Sequence, residues 1–208
     1  MRDKTVKNET ERSSPPGKVK IAQALRCLLE EKDFTSITTA EIAKTAGVNE
    51  ALIYRYFNDK RGLLHQVLFD YLEPFVLDAQ KDIEGVEGTI NKLRKVIWFH
   101  INAYATKRIF GKILLLEARS SIDYFKSDTY QLARRYTSFM LELIQEGIDN
   151  GTFRNDLSPE FIRNVIIGGI EYICFTCVAF NRDLSADKMT DNLCSMIFKG
   201  IATDPGAL

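Results

Sequence analysis

The chain has 208 residues, 45% of them hydrophobic and 27% charged, and its 28 Lys and Arg balance 28 Asp and Glu. That length can bury a sizeable core in one domain, or in a small one joined to a larger one, and the neutral balance excludes a wholly basic nucleic-acid coat. Residues 1–65 carry 12 basic against 9 acidic side chains and the remainder 16 against 19, an asymmetry too small to identify a partner by itself.

Residues 1–17 are polar and end in SSPPG. They read as a mobile tail in which Pro15, Pro16 and Gly17 stop structure before the first helix. Apolar residues then recur at helical spacing, first at Val19, Ala22, Leu25, Leu28 and Leu29, later at Leu64, Val67, Leu68, Tyr71, Leu72 and Phe75. Further helices are predicted near 88–106, 108–121, 126–150, 158–181 and 186–202, separated by glycine-, proline- and asparagine-containing breaks. No stretch sustains the period-two alternation of a half-buried strand. The expectation is an all-α fold of about nine helices, with a tail at 1–17, one domain at 18–64 and a second at 65–208.

The longest apolar run, Val165 to Phe180, looks too short for a membrane-spanning helix and contains Glu171. With no apolar leader segment at the start, a soluble cytoplasmic protein is expected. Cys27, Cys174, Cys177 and Cys194 sit among apolar neighbours without the second pair or the histidines of a metal site, so they read as reduced core residues. No metal or cofactor is expected.

Between Thr38 and Leu64 two short apolar patterns flank a glycine. Thr38 or Thr39 can cap a helix whose Ile42, Ala43 and Ala46 form one apolar face, Gly47 supplies a sharp turn, and Asn49 can cap a second helix held from beneath by Ile53 and Phe57. Ala51, Tyr54 and Arg55 then face outward, with Glu50 near the helix start. Two short helices joined this way, presenting small, aromatic and basic side chains, match a helix-turn-helix whose second helix enters the major groove.

TTAEIAKTAGV followed by IYRYFNDKRGLL resembles the DNA-binding segment of the TetR family of bacterial transcriptional regulators, over about Val19 to Leu72. The resemblance implies a three-helix reader domain with Glu50, Ala51 and Leu52 at the base-facing start of the recognition helix and Tyr54, Tyr56 and Lys60 on phosphates. Thr38, Thr39, Lys44, Asn49 and Arg55 complete the candidate DNA contacts. Ala51 stands where the family often has glycine and Arg55 where its chemistry varies, so no base preference transfers. Glu50 can accept from a cytosine amino group or simply favour the helix dipole, and Tyr56 can meet a phosphate or pack inward.

Farther on, Leu115-Glu117-Arg119, Tyr130, Tyr136, Gly147, Gly151-Phe153-Arg154 and Gly168 resemble the branch of that family controlling fatty-acid degradation. That implies release from DNA by a long acyl-CoA. Phe99, Tyr104, Phe110, Leu114, Tyr136, Phe139, Met140, Tyr172 and Phe175 offer apolar and aromatic walls, Glu117, Arg119 and Glu171 polar groups, and Gly168 room for close approach. The alternative for each is ordinary core. His100 reads as a core or interface histidine, and Lys107, Arg108, Lys112 and Arg119 are candidate cations for a CoA phosphate.

A single recognition helix makes few contacts, so a homodimer on a palindromic operator is expected. Ile166, Ile170, Ile173, Val178, Leu193, Met196, Ile197 and Ile201 of the last two helices are its candidate interface. The resulting expectation is a ligand-responsive repressor, with a drug-responsive or other apolar-ligand regulator of efflux genes as the alternative. Without a phosphate loop, a nucleophile elbow or paired histidines, an enzyme is not expected.

Overall fold

Proline at the first helical position loses nothing, because that N–H has no partner within the helix. Accordingly, in the computed structural model, which describes residues 14–203, the first helix, α1 (Pro16–Glu31), begins on Pro16 rather than after it. Pro16 and Gly17 therefore belong to α1, not to the expected tail, whose residues 1–13 lie outside the described part. The buried face of α1 is Ile21, Ala22, Ala24, Leu25 and Leu29. Val19 and Cys27, expected inside, are exposed.

After a 3-10 turn at Phe34–Ser36 come α2 (Thr39–Ala46), α3 (Ala51–Phe57) and α4 (Lys60–Lys81). The chain divides into two compact units between Leu63 and Leu64. In the first, α1 packs against α2 and α3. Phe34, Ile37, Ile42, Ala43, Ile53, Phe57 and Leu63 join the α1 residues in its core.

The second unit holds α5 (Thr89–Thr106), α6 (Arg108–Lys112), α7 (Asp128–Asp149), α8 (Pro159–Ala179) and α9 (Ala186–Ile201). Ser127, Ser158 and Ser185 cap α7, α8 and α9 by accepting the N–H groups of Tyr130, Phe161 and Lys188. α5 lies against α7, α8 and α9.

The helix predicted at 108–121 is interrupted. α6 stops at Lys112, a π-helical turn covers Ile113–Glu117, and 3-10 turns follow at Ala118–Ser120 and Ile122–Lys126. Ile113, Leu114 and Ala118 all remain buried through this change of pitch, a result that apolar spacing cannot distinguish from a continuous helix. Beyond α7, the Phe153 N–H donates to the Gly147 carbonyl and that of Arg154 to Ile201, tying the end of α7 to the end of α9.

α8 carries large apolar residues on both its inward and its outward face. With 21 residues it is long and apolar enough to span a membrane by length and composition, which corrects the sequence estimate. Its inward ridge is Ile162, Ile166, Ile170, Cys174 and Val178, while Phe161, Val165, Tyr172 and Phe175 are exposed.

Candidate functional site: nucleic-acid interface and effector core

In the first unit, polar side chains hold the turn by bonding to backbone. The Thr38 hydroxyl accepts the Glu41 N–H at the start of α2. Gly47, at φ 64°, takes the left-handed turn that ends α2. The Asn49 side chain accepts the Ala51 N–H, which starts α3. Asp59 accepts the Gly62 N–H at 2.6 Å and opens α4. A Cβ on Gly62 would stand 2.0 Å from the Phe57 carbonyl oxygen, so the close passage of α4 past the end of α3 depends on glycine.

These locks leave one exposed face. Tyr54 is 53% exposed, and its hydroxyl lies 3.3 Å from that of Thr39 across the two helices. Lys44, Ala51 and Arg55 are exposed, and Glu50 is half-buried at the first turn of α3. Leu52 and Tyr56 are half-buried beside the first turn of α1, where a Cβ on Gly17 would meet them at 3.7 and 3.5 Å. They belong in part to an apolar seam between α1 and α3 rather than wholly to an outward surface.

Lys60 departs most clearly from its expected phosphate role. Its ammonium donates to the carbonyls of Phe34 at 2.9 Å and Ile37 at 2.7 Å and lies 4.4 Å from the Phe34 ring centroid. The physical reason is that the carbonyls of this 3-10 turn keep acceptor capacity, the Phe34 oxygen holding a second lone pair beside the Ile37 N–H, and a long cationic side chain reaches them.

The second unit adds to its serine caps an aromatic cluster in the interior. Phe75 lies 4.9 Å from both Phe99 and Tyr136, and 6.1 Å from Phe110. His100 stacks on Tyr104 at 5.4 Å and meets Tyr136 edge-on at 5.1 Å. Tyr104, Phe110, Leu114, Tyr136 and Met140 are buried, while Phe99 and Phe139 are half-buried. The Tyr136 hydroxyl donates to the Val96 carbonyl at 3.4 Å. Among the described residues, no partner lies within hydrogen-bonding distance of His100 Nδ1 or of the Tyr104 hydroxyl.

At the edge of the cluster Arg119 makes a bidentate pair with Glu171, both N–H···O distances being 2.6 Å. Burial opposes the charge on Arg119, but the two hydrogen bonds and the carboxylate more than offset it, so its pKa lies above the ordinary value. His100 moves the other way. Burial, assisted by the Arg119 charge and opposed by Glu171, lowers it to about 4, so it is neutral near pH 7.

The remaining expected contacts separate. Tyr172 is 78% exposed, and Phe175 and Gly168 are also exposed, so all three lie on the outer face of α8 rather than in the aromatic interior. Glu117 is half-buried in the π-helical turn. Of the cations named for a phosphate, Arg108 bonds to Asn181 and Asp183, and Lys107 is exposed just beyond α5. An open pocket of about 500 Å³ instead brings Arg119 together with Arg134 and Arg163, two arginines that sequence reading passed over because they are 29 residues apart on different helices.

The residues expected at the dimer interface also separate. Ile166, Ile170, Val178, Leu193, Ile197 and Ile201 are buried in the core of their own chain, Ile173 is half-buried, and Met196 is 71% exposed. A helix apolar on both faces gives no periodicity from which to tell inside from outside. Met196 instead lines an apolar groove of about 230 Å³ with Leu157, Phe161, Val165 and Gly200. Among the described residues, no group of three or more His, Cys, Asp or Glu is placed to hold a metal ion.

Two profiles account for most of the chain: residues 21–67 match "Bacterial regulatory proteins, tetR family" and residues 69–200 match "YsiA-like protein, C-terminal region". The fatty acid metabolism regulator protein of Bacillus subtilis (strain 168) is 23% identical over 89% of this chain and 96% of its own length. The HTH-type transcriptional repressor KstR2 of Mycolicibacterium smegmatis is 20% identical over 89% of this chain and 91% of its own. The crystal structure of the transcriptional regulator FadR from Bacillus subtilis in complex with stearoyl-CoA superposes with a TM-score of 0.78 at 23% identity, covering 88% of this chain and 98% of that one. The helix-turn-helix, the all-helical second unit and these matches together assign the chain to the tetR family of bacterial regulatory proteins, as a transcription regulator.

Proposed function

We propose that this regulator is a cytoplasmic repressor that binds a near-palindromic operator as a homodimer and is released by a long-chain acyl-CoA. DNA binding is assigned to residues 18–64, and effector binding and dimerisation to residues 65–208. The observation that carries the reading is the exposed Thr39–Tyr54 pair beside Lys44 and Arg55, on a helix pair whose turn is held by bonds to backbone. Hydroxyls and cations on such a surface meet phosphates, and the start of α3 meets base edges. Its function is binding rather than catalysis, as the names of its relatives also suggest.

The effector reading draws on two supports. The aromatic cluster around Phe75 and Tyr136 offers an acyl chain apolar surface, and its polar atoms at His100 and Tyr104 are positioned to meet a thioester carbonyl. The relative solved with stearoyl-CoA shares this fold. A drug-like or other apolar effector is the second reading, favoured by the same cluster of rings.

Dimerisation is assigned to the outer faces of α8 and α9, where Phe161, Val165, Tyr172, Phe175 and Met196 are exposed. Selection of bound duplexes from random DNA, with sedimentation of the complex, tests the reading. A two-fold symmetric site bound by an even number of chains is expected. Failure to enrich any duplex, or saturation by single chains, would overturn it.

A further inference from the structure

The open pocket in the second unit has a chemistry that the acyl-chain reading does not use. Three arginines line it, Arg119, Arg134 and Arg163, together with Tyr124, Phe125 and Tyr130. Its other lining residues are Ala133, Thr137, Asn164 and Ile167, so no carboxylate is among them. This stands out in a region, residues 66–208, that carries 16 basic against 19 acidic side chains. Glu171 neutralises Arg119. Arg163 donates to the side-chain oxygen of Asn164, a neutral partner that leaves its charge uncompensated.

The aromatic wall is ordered by the irregular segment that replaced the expected helix. Ser121 caps the 3-10 turn that carries Tyr124 and Phe125. Tyr124 meets Phe125 and Tyr130 edge-on at 5.4 and 5.6 Å, and Phe125 meets Tyr130 at 5.3 Å. Tyr124 is buried, whereas Phe125 is 43% exposed and so retains free ring surface. Exposed aromatic surface stacks a flat base, guanidinium forks fit phosphate oxygens two at a time, and a volume near 500 Å³ falls within the usual range for small ligands of about 300–1,000 Å³.

We propose that this pocket binds the phosphorylated adenosine head of a coenzyme A thioester, with Arg134 and Arg163 on its phosphates and the Phe125 ring against its base. The proposal rests on the acyl-CoA reading above and adds the site of the head group. Arg119 then has two neighbourhoods, the pocket on one side and the Glu171 pair beside His100 and Tyr104 on the other. It marks the boundary at which the polar head gives way to the acyl chain.

The test compares the wild type with the Arg134→Ala/Arg163→Ala double variant, whose two side chains are exposed or half-buried and, among the described residues, make no side-chain bond to another helix. Three probes are used: adenosine 3′,5′-bisphosphate, palmitoyl-CoA, and palmitoyl-pantetheine, which keeps the thioester and lacks the nucleotide. Wild-type protein is expected to bind the bisphosphate saturably, and the double variant about a hundredfold more weakly, at about tenfold per lost charge-assisted contact. Palmitoyl-pantetheine is expected to bind both proteins alike. Equal binding of the bisphosphate to both proteins would overturn the site. So would palmitoyl-CoA releasing DNA from both proteins at the same concentration, a result that leaves the effector reading standing. If palmitoyl-CoA releases DNA from neither while the bisphosphate distinguishes them, the effector reading fails and the nucleotide site stands.

Discussion

The helix-turn-helix of the first unit and the aromatic core of the second use polar side chains in opposite ways. In the first, Thr38, Asn49, Asp59 and Lys60 each bond a specific backbone group: the first three hold the starts of α2, α3 and α4 through neighbours two or three residues away, and Lys60 ties α4 to the Phe34–Ser36 turn. In the second, His100 Nδ1 and the Tyr104 hydroxyl are buried without a partner among the described residues, inside a cluster of rings. A surface that reads DNA must present the same geometry at every encounter, so its polar groups are committed in advance. A core that receives an effector benefits from polar groups left for the ligand, at a cost in stability while they wait.

The sharpest way to break the first half of this contrast is Gly62→Ala. The new methyl would stand 2.0 Å from a backbone oxygen that cannot rotate aside, and a loss of about 3 kcal/mol or more is expected on thermal or urea unfolding. A fully stable variant would mean that the junction between α3 and α4 is looser than described.

Lys60→Met is next. It removes the ammonium from the Phe34 and Ile37 carbonyls, and about 2 kcal/mol of stability should go with it. At a temperature where the variant is folded, the salt dependence of DNA binding should keep its slope, whereas Arg55→Ala or Lys44→Ala should lower it by about one counterion. A reduced slope for Lys60→Met would restore the phosphate role.

In the second unit, His100 should make stability depend on pH. Its folded pKa of about 4 lies below the ordinary histidine value of 6.5, so the unfolded chain binds the proton more readily. The stabilisation is therefore complete above pH 6.5 and is lost as pH falls towards 4. Between pH 7 and pH 5 the expected loss is about 2 kcal/mol, and His100→Phe should abolish that part of the profile. An unchanged profile in the variant would show that other groups dominate acid unfolding.

The smallest effect is expected at Tyr54→Phe, which removes one hydroxyl beside Thr39. Binding to all duplexes should weaken by about 1 kcal/mol, with sequence preference retained. A shift in preferred sequence would mean that Tyr54 reads a base.

How much of this was legible in the sequence also differs between the units. The threonine and asparagine caps and the glycine turn act over three or four residues, so local spacing revealed them. The backbone contacts of Lys60 are not legible there, because its partners, Phe34 and Ile37, lie 26 and 23 residues away. The helix count and the aromatic residues near Tyr104 and Tyr136 were readable from composition and period. The inward face of α8 was not, because Phe161 and Ile162, or Val165 and Ile166, are adjacent apolar pairs of which the first is exposed and the second buried. The pocket of Arg119, Arg134 and Arg163 depends on packing of three separate elements, which no local pattern records.

The most direct test of the whole account is titration of the DNA-bound wild type with palmitoyl-CoA at fixed salt, reading the affinity for the selected duplex. Coupling of about 1–3 kcal/mol is expected, weakening DNA binding roughly 5–150-fold, with the duplex weakening the acyl-CoA by the same factor. An affinity for DNA that stays constant while palmitoyl-CoA saturates the protein would contradict the proposed control of the repressor.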